Sequence, residues 1–365
     1  MSSLTCILEY YRSKYDISIM ALSHDGSPNE IIQNHLLGKN YLCHAYYCSY
    51  TNSRGLGRCI IVIVKLLKRI FNIIKIDVEF WLCRLSGSFY KEYDTVIAFQ
   101  EGSATKYVSN LPKVNKLAWV HCDYTNYPRC GTELNIYKQF SKIICVSKFT
   151  ALKFVHIYPT LAQNTISIHN LLNVDYISRM AKYPIDDTRF ISDTFTIISV
   201  GRIDKVKRFD QIPEIASNLL TKGYKFKWFI IGPEYGDSTF QKFQDNILNY
   251  GVSHNVIYLG NKHNPYPYFV NANLLVSLSY TEACPMIFNE AKVLNLPVVT
   301  TDFGSSYEFI SNGENGYINT LQNITYVIAS LIDDKSLYDL LKKNISSFEY
   351  SNSDILIKLD TLFKL

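Results

Sequence analysis

Two glutamates, Glu282 and Glu290, stand on either side of a Cys-Pro pair in the segment Tyr280–Gly304. Proline suits the first position of a helix because it has no amide hydrogen to leave unpaired there, so the sequence predicts a helix that begins at Pro285. Glu282 then lies just before the free amides and the positive end of the helix dipole, where phosphate groups bind. Glu290 lies one to two turns further on, at about 1.5 Å rise per residue. The two carboxylates can therefore face one extended ligand such as a sugar nucleotide, although an ordinary helix start with two solvated glutamates has the same spacing.

A glycine turn with several cations begins at Gly201, directly after a run of residues typical of a buried strand. Arg202 and Lys207 are five positions apart in this turn, and such a pair can hold a diphosphate. Arginine binds through its planar fork and lysine acts as a compact point charge. Lys205 and Arg208 lie in the same turn, so a solvated basic loop is the alternative interpretation.

Short buried strands alternate with helical segments along the chain, which predicts doubly wound α/β domains with ligands at the carboxyl ends of the strands. The helix after Pro285 is expected to end near Asn295, which tolerates the conformation at a helix end. The length of 365 residues predicts two domains, and the turn-rich segment Tyr183–Thr188 is the predicted linker. The predicted strands cover residues 16–22, 93–99, 117–121, 143–147, 165–170, 195–200, 228–231, 255–259, 273–278 and 296–301.

The E-x7-E spacing, the proline after the first glutamate and the P-V-V-T-T-D-F-G strand behind it resemble the donor site of retaining glycosyltransferases of the GT-B fold. The resemblance is to family 4, glycosyl transferases group 1, of the polysaccharide and lipopolysaccharide type. The G-R-x-x-x-x-K turn and a W-V-H-x-D strand end extend it over nearly the whole chain from the first helix onward. Arg208 departs from the pattern, because the family usually has a glycine there.

The resemblance implies an α/β GT-B architecture of two doubly wound, Rossmann-like domains facing across a cleft. Residues 1–182 form the acceptor-side domain, residues 183–350 form the donor domain, and a final helix at 351–365 crosses back to the first domain. In the family a strand and a glycine-rich turn precede the first helix. This sequence opens on the helix, so we expect the N-terminal first strand to be missing and the start to be truncated.

The resemblance also implies the reaction, which is transfer of a hexose from a UDP- or GDP-sugar to an acceptor hydroxyl with retention of configuration. The expected setting is the synthesis of cell-surface polysaccharide or lipid-linked glycan. Arg202, Lys207 and the helix amides stabilise the diphosphate, Glu290 binds the ribose hydroxyls, Glu282 orients the sugar and His121 contacts it from the other domain. The expected catalytic residues are His121, Arg202, Lys207 and Glu282, and the expected donor-binding residues are Gly201, Arg202, Lys207, Asn261, Glu282, Cys284, Pro285, Met286, Ile287 and Glu290.

Other readings of these residues stay open. A lone histidine such as His121 is more often structural than catalytic. Two-carboxylate glycosidase chemistry is the nearest enzymatic alternative, but it would leave Arg202 and Lys207 without a purpose. A non-catalytic nucleotide-sugar-binding or assembly protein and a nucleotide-sugar epimerase on the same fold are further alternatives.

No D-x-D signature ends a strand, and the nine cysteines lack zinc-site spacing. We therefore expect a metal-independent enzyme without cofactors in the reducing cytoplasm. The sequence shows no secretory signal and no apolar run of the ~20 residues that would cross a bilayer. The net charge of +5 is mild, and no nucleic-acid partner is expected.

Residues 54–91 carry an excess of lysine and arginine, part of it in an apolar segment with helical spacing. The pattern fits a helix lying on an anionic membrane surface at the inner face of the plasma membrane. It fits equally well a core-packing helix with a solvated basic side.

Overall fold

The computed structural model describes residues 3–20, 92–112, 114–190 and 193–363, with a few single helical positions between residues 32 and 70. The basic segment 54–91 thus lies almost entirely outside the described residues. The chain divides into two compact units, Met1–Leu171 with Ser353–Leu365 and Leu172–Asn352. In the described part of the chain, no helix is both long and apolar enough to cross a bilayer.

In the described residues of the first unit, four parallel strands form a sheet in the order β1-β2-β3-β4. Its strands are rich in isoleucine, valine and alanine, which suits a sheet covered on both faces, and Trp119, Ile143 and Ile144 in their middle are buried. The hydroxyl of Ser147 accepts the amide hydrogen of Thr150 at 3.1 Å and caps the helix after β3. The elements are α1 (Ser3–Tyr11), β1 (Thr95–Ala98), α2 (Ser103–Ser109), β2 (Asn115–Val120), α3 (Leu134–Tyr137), β3 (Lys142–Cys145), α4 (Lys148–Ile157) and β4 (Thr165–Ser167).

In the part of the second unit that the structure describes, six parallel strands lie in the order β10-β9-β8-β5-β6-β7. The chain runs outward from β5 to β7, then returns to the other side of β5 and runs outward again from β8 to β10. Its elements are α5 (Val174–Met180), β5 (Phe195–Val200), α6 (Ile212–Thr221), β6 (Phe226–Ile231), α7 (Thr239–Asn249), β7 (Val256–Gly260), α8 (Tyr266–Val270), β8 (Leu274–Ser277), α9 (Met286–Val293), β9 (Val298–Thr301), α10 (Ser306–Phe309), β10 (Gly316–Asn319), α11 (Ile324–Asp333) and α12 (Lys335–Ser346). The strand order therefore reverses between β5 and β8, and in such sheets ligands bind beyond the carboxyl ends of the strands at that point.

Glycines bring the strand ends of the second unit into direct backbone contact. The amide of Gly201 donates to the carbonyl of Ile231 at 2.9 Å, and the amide of Gly232 donates to the carbonyl of Gly260 at 2.9 Å. A Cβ at Gly232 would lie 1.8 Å from the carbonyl oxygen of Gly201. Only glycine fits at position 232, so the turn after β5 is held close against the end of β6.

The helix of the glutamate segment begins one residue later than predicted. Pro285 has φ −73° and ψ 88°, so it precedes α9 as its N-terminal cap and is not the first helical residue. The predicted end is confirmed, since Asn295 takes the left-handed conformation at φ 55° and its amide donates to the carbonyl of Lys292 at 2.9 Å.

The boundary between the units falls at Leu171–Leu172, ahead of the turn-rich segment 183–188. The reason is that α5 packs within the second unit, where Ile177 and Ala181 form a buried cluster with Leu172 and Tyr266. A last helix, α13 (Ser353–Phe363), belongs to the first unit, and its Phe363 ring packs edge-on at 5.1 Å against Tyr11 of α1.

Candidate functional site

The loops that follow β5 and β8 meet at the point where the strand order reverses. The ammonium of Lys207 donates a hydrogen bond to Oε1 of Glu282, and the hydroxyl of Ser279 donates to the same oxygen at 2.8 Å. The amide of Tyr280 also donates to the carbonyl of Val206 at 2.8 Å. The fold thus brings together one predicted cation and one predicted carboxylate, joined by both side chain and backbone.

Hydroxyl groups hold the loop that carries Glu282. The hydroxyl of Thr301, at the end of β9, donates to the carbonyl of Ser279 at 2.6 Å. The hydroxyl of Ser305, in the next turn, donates to the carbonyl of Glu282 at 2.6 Å. Ser279 and Ser305 are both buried. Two hydroxyl groups therefore restrain the backbone of the loop that carries the Glu282 side chain.

Asp204 organises the basic turn after β5. This buried carboxylate accepts the amide hydrogen of Lys207 at 3.0 Å and lies 3.5 Å from the guanidinium of Arg202. The Arg202 guanidinium also lies 4.6 Å above the ring of Tyr235 and is largely exposed. Sequence reasoning missed Asp204, although an aspartate in a turn that accepts a nearby backbone amide is a known local signal.

Arg208 shows why a glycine is usual at its position. Its φ of 52° and ψ of 36° are left-handed, a conformation that costs a residue with a side chain roughly 1–2 kcal/mol. The guanidinium lies 4.7 Å above the ring of Tyr280, the residue whose backbone contacts Val206. Arg208 is thus a second link between the two loops.

The predicted residues at the start of α9 lie directly after Glu282. Cys284, Met286 and Ile287 are half-buried and Pro285 is buried. The first amides of a helix have no partner within the helix, and the residue that precedes α9, Pro285, has no side-chain acceptor to cap them. The start of α9 can therefore offer amide donors to an anion.

Glu290 lies further along α9, where its Oε1 accepts a hydrogen bond from the hydroxyl of Tyr266 at 3.3 Å. Burial raises the pKa of Glu290, and the Tyr266 hydroxyl partly opposes this effect. Asn261 is exposed in the turn after β7, next to Gly260 at φ 79°. Among the described residues, no hydrogen bond or ion pair joins Glu290 or Asn261 to Lys207 or Glu282.

His121 directly follows β2 in the first unit. Its ring packs 4.7 Å from the Phe99 ring and is parallel to that of Trp119 at 6.1 Å. Its Nε2 is buried and has no hydrogen-bond partner among the described residues. Burial lowers the pKa of His121 and the nearby Glu101 raises it, with a net decrease. The side chain of Glu101 accepts the amide hydrogen of His121.

Within the described ranges, no three side chains of His, Cys, Asp or Glu form a group that could hold a metal ion. Residues 185–347 match the family model described as glycosyl transferases group 1. This agreement confirms the resemblance inferred from the E-x7-E and G-R-x-x-x-x-K motifs.

Two curated relatives are similar to part of the chain. CapM of Staphylococcus aureus, a capsular polysaccharide biosynthesis glycosyltransferase, is 27% identical over 159 residues, which are 43% of this chain and 41% of CapM. WbnH of Escherichia coli, an O-antigen biosynthesis glycosyltransferase, is 28% identical over 146 residues, which are 40% of this chain and 39% of WbnH. The matches thus cover less than half of either relative.

The solved structure of Anabaena HepE in complex with UDP and glucose is similar with a TM-score of 0.72 and 15% identity. The similarity covers 100% of this chain and 96% of HepE. At this identity the likeness concerns the fold, and it confirms the α/β GT-B class predicted from the alternating strands and helices.

Proposed function

We propose that this chain, whose residues 185–347 belong to the glycosyl transferases group 1, moves a sugar from a nucleotide diphosphate to an acceptor hydroxyl. The anomeric configuration of the sugar is retained. The donor is a UDP- or GDP-sugar, and UDP is the first to test because the solved HepE structures contain UDP and UDP-glucose. The acceptor belongs to a cell-surface polysaccharide or a lipid-linked glycan, which is supported by the capsular and O-antigen assignments of CapM and WbnH.

The observation that carries this proposal is the bond between Lys207 and Glu282 at the reversal of strand order. A sugar nucleotide has a negative diphosphate, which a cation can bind. Its sugar hydroxyls can donate hydrogen bonds to a carboxylate. The start of α9 adds amides beside them. The close contact between Gly201 and Gly232 holds the turn that carries Arg202 and Lys207 against the end of β6.

In the proposed reaction the bond between the anomeric carbon and the leaving phosphate oxygen breaks while the acceptor oxygen forms its bond to that carbon. The acceptor proton leaves with the diphosphate product. Negative charge grows on the leaving group, and preorganised donors aimed at such charge are a large source of rate acceleration. Arg202, Lys207 and the first amides of α9 supply this stabilisation, so cations of the chain act where a divalent metal would otherwise serve.

The remaining predicted residues bind the donor. Glu290 accepts hydrogen bonds from the ribose hydroxyls, as an ionised carboxylate can, and the turn at Asn261 contacts the base. Glu282 orients the sugar, and His121 is the sugar-binding residue of the first unit. The basic segment 54–91 is proposed to contact an anionic membrane surface.

The proposal is tested by calorimetric titration of the full chain with UDP, GDP and their sugar conjugates, with and without magnesium. We expect selective binding that is independent of magnesium, followed by turnover with a hydroxyl acceptor. The coupling constant of the anomeric proton in the product's NMR spectrum reports whether configuration is retained. Binding without transfer or hydrolysis would instead indicate a nucleotide-sugar-binding protein, and no binding would reject the proposed donor site.

A further inference from the structure

Glu101 lies in the turn that links β1 to α2, at the same sheet edge as the end of β2. The two strands pair in parallel, with Ala98 opposite Ala118, so their carboxyl ends meet. Oε1 of Glu101 accepts the amide hydrogen of His121 and, at 2.8 Å, that of Cys122. One carboxylate oxygen therefore binds both backbone amides at the point where β2 ends.

The turn that carries Glu101 is closely packed. Gly102 has φ 82°, and a Cβ on it would lie 2.8 Å from the hydroxyl of Tyr127. The hydroxyl of Thr105 donates to the carbonyl of Gln100 at 2.8 Å and is buried. Backbone conformation and hydrogen bonding thus fix the position from which the Glu101 side chain reaches the next strand.

Glu101 forms no ion pair with an arginine or lysine among the described residues. Its carboxylate instead accepts hydrogen bonds from the two backbone amides, and hydrogen bonds to a charged acceptor are among the stronger ones in proteins. Burial raises the pKa of the Cys122 thiol and Glu101 raises it further, so this thiol stays protonated at neutral pH. The Glu101 carboxylate therefore affects the Cys122 thiol as well as the two backbone amides.

The His121 ring depends on this arrangement. Its contacts are with the rings of Phe99 and Trp119, and its Nε2 has no hydrogen-bond partner among the described residues. Two features thus set where the ring points among the described residues. One is its packing against the Phe99 and Trp119 rings, and the other is the position of the residue 121 backbone, whose amide Glu101 binds.

We propose that Glu101 is a positioning residue for His121. Its carboxylate holds the amides of residues 121 and 122, aims the imidazole and places a negative charge beside it. The role in catalysis rests on the proposed function, in which His121 binds the donor sugar. The effect on the imidazole does not, because it concerns the geometry of the first unit alone.

Two variants separate the hydrogen bonds from the charge. Glu101→Gln keeps a side-chain oxygen that can accept both amides but removes the charge, whereas Glu101→Ala removes both. The matched control is Glu92→Gln, the same chemical change at an exposed position before β1. We expect Glu101→Ala to lower kcat by about 10²-fold, the loss typical of a misplacement of about 1 Å, with nucleotide affinity unchanged. Glu101→Gln should lower kcat less, and the control should match the parent.

The second measurement is the titration of the His121 ring by NMR, with its signals assigned through His121→Asn. Loss of the neighbouring negative charge should move the His121 midpoint to lower pH in Glu101→Gln but not in Glu92→Gln. Parental ring signals, midpoint and kcat in Glu101→Gln and Glu101→Ala would overturn the inference. If Glu101→Ala does not fold, Glu101→Gln decides. If the parent itself shows no turnover, the proposed function fails, and the His121 titration still decides the positioning role.

Discussion

Lys207 and Glu282 are 75 positions apart in the sequence, yet the ammonium of one donates a hydrogen bond to Oε1 of the other. The contact is possible because β8 returns to the side of β5, so the loops after these two strands become neighbours. Glu282 is held by Ser279 as well. The Glu282 carboxylate therefore has two hydrogen-bond donors, which restrain its orientation.

Removal of the Lys207 ammonium should chiefly slow turnover. Lys207→Ala is expected to lower kcat by about 10²-fold, because loss of one preorganised donor to a developing negative charge typically costs 10²–10³-fold. Steady-state kinetics with a sugar nucleotide measures the effect. Lys205→Ala, which removes an exposed lysine from the same turn, is the control and should retain parental kcat. Equal activity of Lys207→Ala and the parent would remove Lys207 from the diphosphate site.

Glu290 should contribute to donor binding more than to the chemical step. Glu290→Ala is expected to raise the donor Kd by about 10–100-fold, because a hydrogen bond to a charged group contributes about 1.5–3 kcal/mol. Calorimetric titration with the nucleotide measures the change, and Glu314→Ala, at an exposed carboxylate of the same unit, should bind as the parent does. A parental Kd for Glu290→Ala would exclude the ribose-binding role.

Glu290 is expected to favour donor binding, but its raised pKa means that its ionised form lowers the free energy of unfolding. Burial favours the protonated form in the folded state, so its stabilising contribution is present at low pH and is lost as pH rises through the raised pKa. Glu290→Gln should therefore be more resistant to urea than the parent at pH 7.5. The difference should shrink at a pH below the ordinary range of glutamate, and a constant difference at all pH values would contradict the raised pKa.

The close backbone contact between Gly201 and Gly232 should be intolerant of substitution. A Cβ at position 232 would lie 1.8 Å from the carbonyl of Gly201. Gly232→Ala is expected to lower the free energy of unfolding by about 3 kcal/mol or more, from the steric clash and backbone strain together. Gly251 has φ 66° and open space around it, so Gly251→Ala should cost only about 1–2 kcal/mol. Urea denaturation of both variants compares the two, and equal losses would show that the contact at 232 relaxes freely.

Arg208 offers a test of its left-handed backbone. Arg208→Gly relieves strain of about 1–2 kcal/mol. It also loses a cation–π contact of about 0.5–1 kcal/mol and gains chain entropy in the unfolded state. We expect the free energy of unfolding to stay within about 1 kcal/mol of the parent. Arg208→Val should be clearly less stable in the same urea experiment, because a β-branched residue resists this conformation. Equal stability of the valine and glycine variants would argue against a left-handed residue 208.

Local patterns in the sequence were sufficient to predict much of the fold. Apolar runs followed by a glycine or a polar residue identified most strands of both sheets, because a buried parallel strand needs such a run whatever surrounds it. The end of α9 close to Asn295 was predictable for a similar reason, since few residues take the left-handed conformation found at Asn295. The start of α9 was misplaced by one residue, because the backbone of Pro285 follows the incoming loop as much as its own preference.

The sequence by itself determined the class of the fold and the kinds of residue at each strand end, since both follow from short-range patterning. Only the tertiary structure decided which of these residues meet. It paired Lys207 with Glu282, placed Glu101 beneath the amides of His121 and Cys122, and assigned α5 to the second unit. These contacts depend on strand order and on packing between distant segments, and no local pattern of residues encodes either one.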